Sequence, residues 1–187
     1  LLEAAGSARG LVFGSRAQRT PANRRTLVQL LSILPAPALR VFDVNLRPPH
    51  DDLPRVRELA AQATVLKLNA IEAARLAGDS DDSPGREEFH ARTLAAQSGA
   101  PLVCVTSGSL GAGLLQEGTW HWEDARAVDV VDTVGAGDAI LASLVSGLLE
   151  ERTPARALLT RACRMGEWVA SQRGATPKHP PPAPAKG

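Results

Sequence analysis

Four short apolar runs, separated by helical patterns, constrain the architecture of this chain more than any other feature. Gly10 to Ser15, Leu39 to Val44, Thr64 to Leu68 and Leu102 to Thr106 read as strands, the first bounded by glycines and the last rich in β-branched residues. Between the first two, Asn23 to Leu34 has helical spacing with Leu27, Leu30, Leu31 and Leu34 on one face, and Pro35 and Pro37 end it. Leu53 to Ala63 is the next expected helix, with Pro54 suited to its first turn. Another starts at Asn69 and runs to Leu76, and Arg86 to Ser98 follows an acidic loop. This alternation predicts an α/β fold, a mostly parallel sheet with helices on both faces. Beyond the fourth strand come a glycine-rich turn, Ser107 to Gly113, and a hairpin with arms Leu114 to Gln116 and Thr119 to Trp122. The apolar run Ala139 to Leu149 reads as a helix starting at or near Gly137, and a last helix runs from Pro154 to about Arg173.

Composition narrows the function. A chain of 187 residues can bury one core, and its formal charge of +1 suggests no polyanionic partner. The chain has no Tyr and few other aromatics, which argues against a stacking surface for nucleic acid. Cys104 and Cys163 stand alone without metal spacing, so both are expected to be reduced, structural residues of a cytoplasmic protein. No apolar run reaches the roughly 18 residues of a membrane span, so no membrane partner is expected. Leu1-Leu2-Glu3 carries neither an initiator Met nor a signal-peptide pattern, and the chain is expected to begin partway through a larger protein.

In parallel sheets ligands bind beyond the carboxyl ends of the strands. The polar signals fall there repeatedly: Asp43 to Arg47, Asn69, Thr106 to Gly111, and Asp132 to Asp138. The last group is the most informative. Asp132-Thr133-Val134-Gly135-Ala136-Gly137-Asp138 places two glycines at a helix start, where unpaired N–H groups and the helix dipole favour an anion. An Asp in that turn suggests proton removal from a hydroxyl that attacks a bound phosphate. Taken alone, the string is equally an ordinary turn with an acid in the first helical turn. It is not a dinucleotide fingerprint, since Ile140 stands where the last glycine would be, and no Lys-Ser or Lys-Thr follows as in a P-loop.

The other motifs also have plain readings. Asn69-x-x-Glu72 is first of all a helix-capping pattern. Val105-Thr106-Ser107-Gly108-Ser109-Leu110-Gly111 is a strand-to-hairpin turn, and Arg47 is a solvated loop arginine. No catalytic or metal pattern includes His50, His90, His121 or His179.

Together, however, these strings resemble the ribokinase-like carbohydrate kinases. DTVGAGD is similar to the C-terminal DTxGAGD signature, Asn69-x-x-Glu72 to the Asn-x-x-Glu segment, and Val105 to Gly111 to VTxGxxG. Asp43-Val44-Asn45-Leu46-Arg47-Pro48 resembles the DxNLRP segment of fructokinase-like members, and Gly174-Ala175-Thr176-Pro177 the closing GAxP loop. The resemblance implies that residues 1–176 are the C-terminal part of a ribokinase-like kinase domain lacking the N-terminal part and lid, with 177–187 a proline-rich disordered tail. It implies ATP-dependent phosphorylation of fructose or a related sugar or sugar acid, within a longer enzyme. Asp138 would be the base, contacting the sugar, and the N–H groups of Gly135, Ala136 and Gly137 would hold phosphoryl charge. Thr106, Gly108 and Gly111 would seat ATP, with Ala162 and Cys163 on the adenine side. Asn69 and Glu72 would order phosphate and Mg²⁺, and Arg47 would meet the transferred phosphoryl group or an acidic sugar. A K⁺ site is implied near Asp132, Val134 and Gly174, and the resemblance allows a homodimer of the full-length protein. The competing reading is a non-catalytic nucleotide-binding remnant or regulatory module.

Overall fold

A computed structural model describes residues 1–48, 51–150 and 153–178. His50, His179 and most of the expected tail therefore lie outside the described residues. The strands are β1 (Gly10–Gly14), β2 (Leu39–Asp43), β3 (Val65–Asn69), β4 (Leu102–Thr106), β5 (Gly111–Gln116) and β6 (Thr119–Asp124). They follow one another in sequence order in a six-stranded sheet. The helices are α1 (Leu2–Gly6), α2 (Pro21–Ile33), α3 (Leu53–Ala60), α4 (Ala70–Ala77), α5 (Glu87–Ser98), α6 (Ala136–Leu149) and α7 (Ala155–Ala170). The chain divides into two compact units, Leu1–Val105 with Leu115–Gly118, and Thr106–Leu114 with the residues from Thr119 on.

In the first unit β1 pairs parallel with β2, and β2 with β3. The register sets Phe13 beside Phe42, and their rings stack at a centroid distance of 5.2 Å. Parallel strands connected by helices are covered and read as continuous apolar runs, and Val41, Phe42, Leu66 and Leu68 are fully buried. On α2 the face Leu27, Leu30, Leu31 and Leu34 is buried, while Val28 points to solvent. Thr20 caps that helix by accepting the Asn23 N–H, and Pro21 opens it. Burial pushes the Cys104 thiol up to about 12, so this cysteine is a packing residue. His90 is equally buried and meets Asp79 at 3.0 Å. The Asp81 N–H, Arg86 and His90 together hold the Asp79 carboxyl well below the usual carboxylate range.

In the second unit α6 packs closely on α7. A Cβ on Gly147 would lie 2.2 Å from Leu158 Cδ2, and one on Gly166 would lie 2.6 Å from Ile140 Cγ1. Both glycines are therefore contact points where a side chain would separate the helices. Glu123 on β6 accepts from Thr160 and Arg164 of α7, and Glu167 accepts from Arg164 and the Arg126 N–H.

Several boundaries differ from the sequence expectation. The strand after the glycine-rich turn starts at Gly111, three residues earlier than the pattern suggests, because Gly113 packs under Trp120 and needs no side chain of its own. Trp120 in turn stacks on Trp122. The helix after β2 ends at Ala60 and the last helix at Ala170. Neither α1 nor the 3-10 turn Ser15–Arg19 has a strong periodic signal, being only five residues long. Gly113→Ala should cost roughly 1–3 kcal/mol, as overpacking does, since the new Cβ would lie 1.9 Å from Trp120 Cη2. Chemical denaturation of the variant checks this, and unchanged stability would show that Trp120 moves freely.

Candidate active site

In the first unit the polar residues gather where β2 and β3 end. Asp43 and Lys67 are paired across the parallel register, so their side chains share a face and meet at 3.0 Å, both buried. Burying such a pair is tolerable only because each charge has its partner. Asn45, at φ 47° in the left-handed region that Asn tolerates, donates to the other Asp43 oxygen. Ser15 donates to the Val44 and Asn45 carbonyls and so holds the same loop from β1.

Glu72 connects that loop to α4. Its Oε2 accepts the Asn69 N–H at 3.0 Å and Asn69 Oδ1 accepts the Glu72 N–H at 2.8 Å, which is a complete capping box. Its Oε1 also accepts the Leu46 N–H at 2.8 Å, and Arg47 Nη1 lies 3.9 Å away. The sequence pattern thus acts as a cap and as a brace at once. Arg47 keeps 60% of its side chain exposed, free to meet an anion.

In the second unit Gly135 is the N-cap of α6 at φ 85°. Its carbonyl accepts the Ala139 N–H at 2.8 Å, while the Ala136 N–H is used on Thr133 O. The following N–H groups, those of Gly137 and Asp138, come too early in the helix to find a carbonyl four residues back. Asp138 sits exposed in this first turn. Of the three expected donors, therefore, Ala136 is already engaged within the turn. Asp132 fixes the approach: Oδ1 accepts the Val134 N–H at 3.0 Å and Oδ2 the Gly174 N–H at 3.3 Å. A Cβ on Gly135 would lie 2.6 Å from Ala175 O, so the two loops named for K⁺ are in contact.

Thr106 and Gly108 flank the start of a short 3-10 turn, closed by the Ser107 N–H donating to Gly111 O at 2.8 Å. Gly108 faces open space, but a Cβ on Gly111 would lie 2.1 Å from Glu123 O. Gly111 is small to let β6 approach. Ala162 and Cys163 are buried on α7, so any part they play at a ligand is through the shape of that helix. The sequence reading missed the Asp43–Lys67 pair, whose only signal was a Lys inside an apolar strand, and the bridging by Asp132. Among the described residues no three His, Cys, Asp or Glu side chains form a metal-holding group, and no helix is long and apolar enough to cross a membrane.

Comparison with known proteins bears on the family and the fold. The family model described as pfkB family carbohydrate kinase matches residues 3–182. An aminoimidazole riboside kinase of Salmonella typhimurium is 36% identical over 128 residues, 65% of this chain and 38% of that protein. A fructokinase of Klebsiella pneumoniae is 32% identical over 139 residues, 72% of this chain and 44% of that protein. The crystal structure of the Salmonella enterica aminoimidazole riboside kinase with aminoimidazole riboside and an ATP analog superposes with a TM-score of 0.74 at 27% identity, covering 89% of this chain and 57% of that one. The fold is ribokinase-like, and the chain spans less than half the length of these curated relatives.

The brace at Glu72 can be tested directly. Glu72→Ala leaves the buried Leu46 N–H and the part-buried Asn69 N–H without acceptors, at roughly 1–3 kcal/mol for the buried one and less for the other. Denaturant unfolding should show a loss of that order; a change under about 0.5 kcal/mol, the scale of ordinary surface substitutions, would mean water replaces the carboxylate.

Proposed function

Because the chain belongs to the pfkB family of carbohydrate kinases, we propose that it supplies the nucleotide-handling and catalytic part of an enzyme that phosphorylates a sugar hydroxyl from ATP. The acceptor is fructose or a related sugar or sugar acid. The relatives named fructokinase and aminoimidazole riboside kinase support a sugar or riboside hydroxyl. The observation that carries the reading is the first turn of α6: an exposed carboxylate, Asp138, beside N–H groups with no helical acceptor.

Phosphoryl transfer depends mainly on positioning and charge stabilisation. Asp138 accepts the proton of the attacking hydroxyl, whose oxygen bonds to the γ-phosphorus as the bond to the ADP oxygen breaks. The Gly137 N–H, with the positive end of α6, opposes the charge on the phosphoryl oxygens, and Gly135 and Ala136 shape that turn. Thr106, Gly108 and Gly111 form the nucleotide-side turn, and Ala162 and Cys163 shape α7 on the adenine side. Arg47 offers a planar fork to a phosphoryl group or an acidic sugar.

Mg²⁺ neutralises phosphate charge in such reactions and keeps most of its waters. Each Glu72 oxygen already accepts a backbone N–H and has lone-pair capacity left. The residues therefore fit a hydrated ion, which Asn69 and Glu72 would hold through water while keeping their own hydrogen bonds. A K⁺ site is proposed where Asp132, Val134 and Gly174 join two loops. The two free, buried cysteines support a cytoplasmic setting.

In the full-length enzyme Asp138→Asn should lower turnover by roughly 10²–10⁴-fold while ATP still binds. Steady-state kinetics beside ATP titration decide it. Unchanged turnover contradicts the base assignment, and ATP binding without turnover in the parent enzyme favours a regulatory module.

A further inference from the structure

A small cavity in the first unit shares Ser15, which holds the loop after β2, with the site described above, and is otherwise built from other residues. Gln18 and Arg19 reach it from the 3-10 turn after β1, Arg24 from the first turn of α2, and Asp52 and Arg55 from the start of α3. Its volume is about 150 Å³. Sites for whole drug-sized ligands run to roughly 300–1,000 Å³, so this one admits a small group and no complete nucleotide.

The charge is one-sided. Three guanidinium groups line the cavity against the single carboxylate of Asp52. Glu58 lies outside the lining and takes Arg55 Nη1 at 2.6 Å, which still leaves a positive excess. Arg19 is tied through Nε to Arg16 O, and Arg24 through Nε to Gln18 O, each at 2.7 Å. One bond per arginine fixes its direction, while a guanidinium has five N–H donors. Among the described residues, two side-chain atoms of the lining residues have no hydrogen-bond partner: the buried Nε of Arg55 and the buried Oε1 of Gln18. Gln18 as a whole is only 6% exposed.

Water can serve both atoms but leaves the positive excess unopposed; an anion that serves both must offer an acceptor to Arg55 and a donor to Gln18. Chloride and a carboxylate supply acceptors only. A phosphate monoester, with its second pKa near 6, supplies charged acceptor oxygens and, in part of its population, a P–OH donor, and inorganic phosphate offers the same groups. Arginine forks also match tetrahedral oxyanions better than they match point charges. We propose that this cavity binds a phosphate group, whether of free inorganic phosphate or of a sugar monophosphate. The inference does not depend on Asp138 or on the kinase reading, and the two can fail separately.

The site reports on itself through the Arg55 Nε–H signal in ¹⁵N-resolved NMR, identified by its loss in Arg55→Gln. Inorganic phosphate is titrated into the protein, with fructose 6-phosphate in parallel and chloride at matched ionic strength. The Arg55 signal should move saturably with phosphate and not with chloride. Arg24→Gln, checked for folding by circular dichroism, should weaken the midpoint at least about tenfold through loss of a charge-assisted contact. Gln18→Leu, which removes the acceptor and keeps the charge, should weaken phosphate as well. A tighter midpoint for the sugar ester identifies it as the source, and equal midpoints identify free phosphate. Absence of a saturable shift, an equal response to chloride, or midpoints unchanged in both variants overturns the proposal.

Discussion

Backbone N–H groups in the loops between strands and helices have no ladder or helical partner and must be satisfied some other way. In each unit a carboxylate does this beside the candidate site. Glu72 accepts from Leu46 and Asn69, and so joins the loop after β2 to the start of α4. Asp132 accepts from Val134 and Gly174, and so joins the loop before α6 to the one after α7. Both are acid side chains used as loop braces, and the residues with chemical potential, Arg47 and Asp138, are left exposed beside them. A rigid brace under an exposed reactive group is what catalysis by positioning requires.

The glycines follow the same logic. Gly135 combines a left-handed backbone with a neighbour so close that any Cβ would strike Ala175. Its smallness serves the meeting of two loops as much as any bound phosphate. Gly111 is likewise set by Glu123 of β6. Gly111 and Gly135 are thus packing devices, while Gly108 faces open space, and the open N–H groups of α6 are what the packing at Gly135 leaves over.

Much of this was legible. The four strand runs and the buried face of α2 follow from the sequence pattern, because β1 to β4 are short, mostly apolar runs and α2 is apolar on one face. The capping box was legible from Asn69-x-x-Glu72 alone. The third bond of Glu72, to Leu46, was not, since it joins residues 26 apart. Nor was the Asp43–Lys67 pair, which depends on strand register. The early start of β5 was hidden because Gly111 and Gly113 carry no pattern, and their role appears only with Trp120 and Glu123 in place. Family resemblance marked which residues to watch, while their present partners came from the fold.

The central claim is that the first turn of α6 seats the phosphates of ATP. Amide-resolved NMR with Mg²⁺–ATP tests it most directly. The account predicts that the Gly137 and Asp138 N–H signals shift together along one saturable curve, followed by those of Thr106 and Gly108. Saturating ATP binding that leaves Gly137 and Asp138 unmoved would contradict it.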